Sequence, residues 1–134
     1  MPTTKSDYVS AVGRRKEAVA RVRLLKGNGQ ITVNGKAINE LFPGLVFQKG
    51  YQKPFLLTNS LSKYSATVKV YGGGVSSQLN AIVHGVSRAL VKIDAQNRTV
   101  LKSEGLLTRD PRVRERRKYG NAQKARAKKQ SPKR

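Results

Sequence analysis

YGGGVSSQLNAIVHGVSRALVKID, from Tyr71 to Asp94, is the stretch that decides the fold. Within it Val75, Leu79, Ile82, Val83, Val86, Leu90 and Ile93 recur at intervals of three and four, the spacing that lines one face of an α-helix. Just upstream, in Ser65 to Tyr71, Ala66, Val68 and Val70 alternate with Thr67, Lys69 and Tyr71, the period of a strand with one buried face. Gly72, Gly73 and Gly74 join the two, so the unit reads strand, three glycines, buried helix. Glycines let a backbone turn tightly or approach a ligand, and a helix N-terminus offers unpaired N–H groups to an anion. Close packing and anion binding are both open readings of this turn. The Gly-Lys-Ser/Thr ending of a nucleotide phosphate loop is missing.

Working outward, Tyr8 to Val12 has strand character, and Ala18 to Leu25 alternates Ala18, Ala20, Val22 and Leu24 with Val19, Arg21, Arg23 and Leu25. Arg14, Arg15 and Lys16 fall at the turn between these strands, where exposed cations can grip phosphate; an ordinary charged turn reads equally well. The glycines and asparagine of Lys26 to Gln30 predict a further turn, Ile31 to Val33 a short strand, and the whole a meander. Lys36 to Phe42 has helical spacing and is cut by Pro43 and Gly44. Leu45 to Gly50 reads as a separate short helix or loop, and Pro54 to Thr58 as a strand. Downstream, Asp94 to Lys102 predicts a helix capped by Asp94 and closed by Gly105. A last short helix is expected from the Asp110-Pro111 start to Gly120.

Charge dominates the composition. The 134 residues carry 28 Lys and Arg against 7 Asp and Glu, a net +21. From Arg109 onward twelve basic residues face only Asp110 and Glu115, a balance of +10 that leaves +11 on residues 1–108. That final segment has Val113 and Tyr119 as its only sizeable apolar side chains, too few to offset about 1–2 kcal/mol of backbone entropy per ordered residue. It is expected to order on an anionic partner, and a phosphodiester backbone, which releases counterions when neutralised, is the leading one. Fifteen residues beyond Tyr119 span roughly 50 Å when extended, against a radius of gyration of about 13 Å for a body of this size. The chain is therefore read as a basic globular domain, 1–108, whose leading partner is nucleic acid, and an extended basic tail, 109–134.

Other chemistries find little support. There is no cysteine, and His84 is the only histidine, so neither a disulfide framework nor a metal site is expected. No apolar run approaches the roughly 18–20 residues of a membrane span, and the expected setting is intracellular and soluble, with no membrane partner. No acidic residue lies between Leu41 and Ile93, which leaves a phosphoryl-transfer enzyme without carboxylates near the glycines. With only eight aromatics and no tryptophan, backbone and shape recognition is favoured over base stacking. A general nucleic-acid compactor would use the same phosphate contacts and is the competing binding function.

GRRKEA, GNGQITVNG, GGGVSSQLNAIVHGVSRAL, GLLTRD, ERRKYG, KAR and the terminal Lys-Arg, in this order, resemble the bacterial-type small-subunit ribosomal protein nine, the universal S-nine family. The resemblance covers nearly everything from Tyr8 to Arg134. It implies an α/β (α+β) fold like the second domain of small-subunit ribosomal protein five, a sheet with packed helices. It also implies a place in the head of the small subunit, on the 3′ major domain of the ribosomal RNA beside neighbouring head proteins, with no cofactor or small-molecule substrate.

The RNA-binding residues so implied are Arg14, Arg15, Lys16, Arg21, Gly72, Gly73, Gly74, His84 and Arg88 on the body. On the tail they are Arg109, Arg112, Arg116, Arg117, Lys118, Lys124, Arg126, Lys128 and Lys129. Lys133 and Arg134 would approach the peptidyl-site tRNA. The family usually ends in an aromatic residue followed by Ser-Lys-Arg; here no aromatic precedes Ser131 and Pro132 is inserted, which biases Ser131 towards extended backbone.

Overall fold

Alternation along the second strand sets the architecture, because it gives the sheet one apolar face and one basic face. The computed structural model describes residues 8–121 and 124–126. In order it has β1 Tyr8–Arg15, β2 Ala18–Lys26, β3 Ile31–Val33, β4 Lys36–Ala37, α1 Ile38–Leu41, α2 Leu45–Leu57, β5 Tyr64–Tyr71, α3 Val75–Ile93 and α4 Asn97–Ser103. Ala18, Ala20, Val22 and Leu24 of β2 and Ala66, Val68 and Val70 of β5 are buried, with Ala20, Val22 and Leu24 paired to Val70, Val68 and Ala66. α3 covers this face, contributing Leu79, Ile82, Val86 and Leu90 to the core. The mixed α/β class expected from the sequence is what the chain adopts.

The strand order is β1-β2-β5-β3-β4, so the expected meander is not formed. β5 inserts between β2 and β3, antiparallel to the first and parallel to the second. The connection from β2 to β3 crosses over β5's start instead, held by Gly27 N–H on Lys63 O and Ala66 N–H on Gln30 O.

Three further expectations need correction. The strand predicted at Pro54 to Thr58 is the last turn of α2, a 13-residue helix with Pro54 inside it. A proline in a helix interior removes a hydrogen bond and costs about 3 kcal/mol. Tyr51, Pro54 and Phe55, at i, i+3 and i+4, are all buried, and their shared apolar face outweighs that loss. The helix expected over Lys36 to Phe42 shrinks to α1 because Lys36 and Ala37 pair with Val33 and Thr32 as β4. α4 begins at Asn97 rather than Asp94, whose carboxylate instead caps the preceding turn at Gln96 N–H. Gly105 does close α4, at φ +75°, with Leu106 N–H on Leu101 O and its own N–H on Lys102 O, the paired bonds of a Schellman ending.

β1 and α3 meet backbone to backbone. A Cβ at Gly13 would lie 1.9 Å from Ala81 O and 2.3 Å from Gly85 N; one at Gly85 would lie 2.8 Å from a Val22 methyl and 3.0 Å from Gly13 N. Only paired glycines permit this approach. Once made, it brings a stripe of α3 side chains, one turn apart, onto the outer edge of β1. Arg14 N–H donates to His84 Nδ1 at 3.3 Å, Arg88 donates to Val12 O at 2.6 Å and Lys92 to Ser10 O at 2.6 Å. These satisfy an edge that would otherwise offer itself to another strand. Gly85→Ala gains about 1 kcal/mol of helix propensity but overpacks the seam, which typically costs about 1–3 kcal/mol. Chemical denaturation is therefore expected to show Gly85→Ala less stable than the parent and Gly13→Ala, which meets rigid backbone, less stable still; a stabilised Gly85→Ala would contradict this packing.

Candidate nucleic-acid interface

The basic residues expected at the β1–β2 turn divide their tasks. Arg14 and Arg15 still belong to β1, and only Lys16 occupies the turn, exposed at φ +52°. Strand pairing persists to Arg15↔Ala18, which is why the turn is tighter than the sequence suggests. The glycine turn lies beside it. Gly72 at φ +80° packs so closely that a Cβ would sit 2.4 Å from Glu17 O, and Gly73 at φ +65° would meet Ala18 at 3.2 Å. Gly74 has open space around it and opens α3 without any side-chain cap. Two of the three glycines are thus required by backbone conformation and packing, while Gly74, Val75 and Ser76 are exposed.

The start of the tail returns to this same end of the sheet. Leu106 and Leu107 pack on the core, and the chain then runs without regular secondary structure from Arg109 to Lys118. The expected helix from Asp110 to Gly120 does not form. Asp110 is engaged otherwise: its carboxylate accepts from Arg15 at 2.7 Å, from the Arg112 guanidinium at 2.8–3.1 Å and from Arg112 N–H at 3.0 Å, an Asx-type turn in place of a cap. Arg15 also reaches Arg112 O, and Arg109 donates to Asp110 O. The Arg112 hydrogen bonds above all, with Arg15 nearby, hold the Asp110 carboxyl far below the usual carboxylate range. Arg15 and Arg112 are therefore committed to a clamp that fixes where the tail leaves the body.

Beyond the clamp, Pro111 to Gly120 is exposed throughout. Arg114, Arg116 and Arg117 stand on it without an ion-pair partner among the described residues. Lys118 and Arg126 share Glu115, at 3.4 and 3.0 Å, and the chain folds back through Lys118 N–H on Lys124 O. Gly120, at φ +83°, serves that turn rather than ending a helix. Lys128, Lys129, Lys133 and Arg134 lie outside the described residues.

His84 is half-buried between β1 and the segment after α4. Accepting the Arg14 N–H at Nδ1 places its proton on Nε2. Burial pushes its pKa down; the Leu107 backbone opposes this by hydrogen bonding, and the Arg88 and Arg109 charges add to it. Arg21 stands away from this cluster on the sheet face opposite α3, and Arg88 lies one helical turn from His84 on the β1 edge. Arg23, Lys69 and Lys92, none of them among the residues that the resemblance implied, join Arg21 and Arg88 around one groove. Strand alternation alone places Arg23 and Lys69 on Arg21's face, so that signal was present. Among the described residues no group of His, Asp and Glu side chains is arranged to hold a metal ion.

Since the folded state disfavours protonated His84, the unfolded chain binds more protons below pH 6.5 and stability must fall as the solution is acidified through that range. Asp110, with a depressed pKa, loses its contribution only at much lower pH. Denaturation midpoints of the free protein are expected to drop between pH 7 and 5.5, with a smaller drop for His84→Asn, which retains an acceptor but cannot titrate. Equal drops for both proteins would show that another group is responsible.

Comparison with known proteins places this arrangement. Residues 13–134 match the family model described as ribosomal protein S9/S16. A small ribosomal subunit protein uS9 from Maridesulfovibrio salexigens is 52% identical over 114 residues, covering 85% of this chain and 88% of the relative. Proteins of the same name from strains of Dehalococcoides mccartyi are 48% and 49% identical over 116 residues, covering 87% of this chain and 88% of each relative. With half its residues shared over nearly its whole length, the chain belongs to the ribosomal protein S9/S16 family, a family of structural, non-catalytic constituents of the small ribosomal subunit.

Proposed function

We propose that this chain binds small-subunit ribosomal RNA in the 3′ major domain, beside other proteins of the subunit head, and sends its tail towards the peptidyl-site tRNA. The observation that carries this reading is the Asp110 clamp. A carboxylate held by Arg15 and Arg112 ties the root of the tail to the folded body, and the segment beyond it exposes its cations with almost nothing apolar to bury. Such a segment gains order from phosphates, not from itself. Lys16 and the exposed Gly74, Val75 and Ser76 stand at the same end of the sheet, where close backbone approach and unpaired helix N–H groups suit a phosphate. Arg109, Arg116, Arg117, Lys118, Lys124 and Arg126 extend the line of contacts, with Lys128 and Lys129 continuing it in sequence.

Lys133 and Arg134 are the residues assigned to tRNA. Small subunits reconstituted with a chain lacking these two residues are expected to assemble normally and to bind peptidyl-site tRNA several-fold more weakly than subunits with the full chain. Unchanged tRNA affinity would confine the tail to ribosomal RNA. The clamp has its own consequence: Asp110→Asn should leave the fold intact while weakening association with a 3′ major-domain transcript, because the tail root is no longer aimed.

A further inference from the structure

Two Asn-Gly pairs stand close together in the chain, Asn28-Gly29 in the turn after β2 and Asn34-Gly35 between β3 and β4. Asparagine followed by glycine is prone to deamidation, because a residue without a Cβ lets its backbone nitrogen reach the preceding side chain. The fold treats the two pairs differently. Asn34 and Gly35, at φ +51° and +82°, form the two-residue turn that joins Val33 to its partner Lys36. The Asn34 carboxamide extends the β3–β5 ladder as a peptide group would: Nδ2 donates to Val70 O at 2.8 Å and Oδ1 accepts from Val70 N–H at 3.0 Å. Its own backbone N–H donates to Val68 O at 2.8 Å. Asn28, by contrast, is exposed, and among the described residues neither its carboxamide nor the Gly29 N–H has a hydrogen-bond partner.

We infer that Asn28 is a site of spontaneous covalent modification in the folded protein, converted to aspartate and isoaspartate, and that the bonds to Val70 protect Asn34 from the same reaction. The Gly29 nitrogen gives up its proton to solvent and bonds to Asn28 Cγ. The Cγ–Nδ2 bond then breaks, ammonia leaves, and a five-membered succinimide remains. Water opens that ring at the side-chain carbonyl to give aspartate, or at the backbone carbonyl to give isoaspartate. One water is consumed and one ammonia released. At Asn34 the same attack requires the carboxamide to turn away from Val70, which breaks both of its bonds to β5. An aspartate there also could not donate to Val70 O and would set acceptor against acceptor. At Asn28 the new carboxylate falls in an exposed turn and breaks no hydrogen bond among the described residues.

Ageing the full chain in mildly alkaline buffer, folded or in urea, tests this. Cleavage after Lys26 and Lys36 releases one peptide, Gly27 to Lys36, that carries both asparagines, and its fragmentation in a mass spectrometer assigns the mass gain to one or the other. The folded chain is expected to deamidate at Asn28, with Asn34 slower by about ten-fold or more, as the two hydrogen bonds lost on opening imply. In urea the two should react at similar rates. Equal rates in the folded chain, or an Asn28 that reacts only in urea, would overturn the proposal. So would a difference that persists in urea, since its cause would then be the local sequence and not the fold. Asn34→Asp is expected to lower the denaturation midpoint and Asn28→Asp to leave it unchanged. An Asn34→Asp protein as stable as the parent would show that the Val70 bonds do not hold the side chain, and would remove the ground for its protection.

Discussion

Everything in the arrangement depends on how closely β1 can approach α3. Gly13 and Gly85 let the two backbones touch, and any side chain at Gly13 would strike Ala81 O or Gly85 N. A sheet packed on a helix through ordinary side chains would hold β1 several ångströms further out. At that distance His84, Arg88 and Lys92 could not bond the β1 edge, and the edge would stay open to another strand. The same approach fixes the end of β1, where Arg15 meets Asp110. Packing of two glycines is thus linked through one strand to the direction in which the tail departs.

A chain of net +21 must place its cations with little acid to offset them. Several of the cations have partners within the chain. Arg88 and Lys92 bind backbone carbonyls, Arg15 and Arg112 share a carboxylate, and Lys118 and Arg126 share another. Exposed ion pairs of this kind contribute little stability, roughly 0–1 kcal/mol each, so their effect is on geometry more than on the fold. Among the cations without such a partner are Arg114, Arg116 and Arg117 on the tail and Arg21 and Lys69 on the sheet face opposite α3.

Much of this was legible in the sequence because period and burial coincide. The alternation in β2 and β5 and the three-and-four spacing of α3 each follow from one apolar face, and each appears where the residues placed it. The resemblance to the S-nine family named the right family from the glycine turn and the tail motifs. What misled was local chemistry overruled by distant contacts. Pro54 and the apolar run after it look like a strand start, yet Tyr51 and Phe55 need a helix to share their face with the core. Asp110-Pro111 looks like a helix start, yet Arg15, 95 positions upstream, takes the carboxylate that a cap would use. The edge-binding roles of His84, Arg88 and Lys92 have no one-dimensional signature, since they require β1 to be a neighbour. Lys69 was visible as an outward residue, but its place opposite Arg21 depends on β5 pairing with β2, which the expected meander would have denied it.

Residue-level hydrogen exchange of the free protein tests the dependence on the β1–α3 seam most directly, at the amide of Arg14. An edge-strand amide with no anchor exchanges through local fraying, far faster than the centre of a sheet. Here that amide is held by His84 against a strand sealed to α3, so it is predicted to exchange only with the slow, cooperative opening of core amides such as Val22. Exchange of Arg14 as rapid as that of Lys16 in the neighbouring turn would show that β1 frays from α3, and that the Gly13–Gly85 contact does not govern the position of the strand, the clamp or the tail.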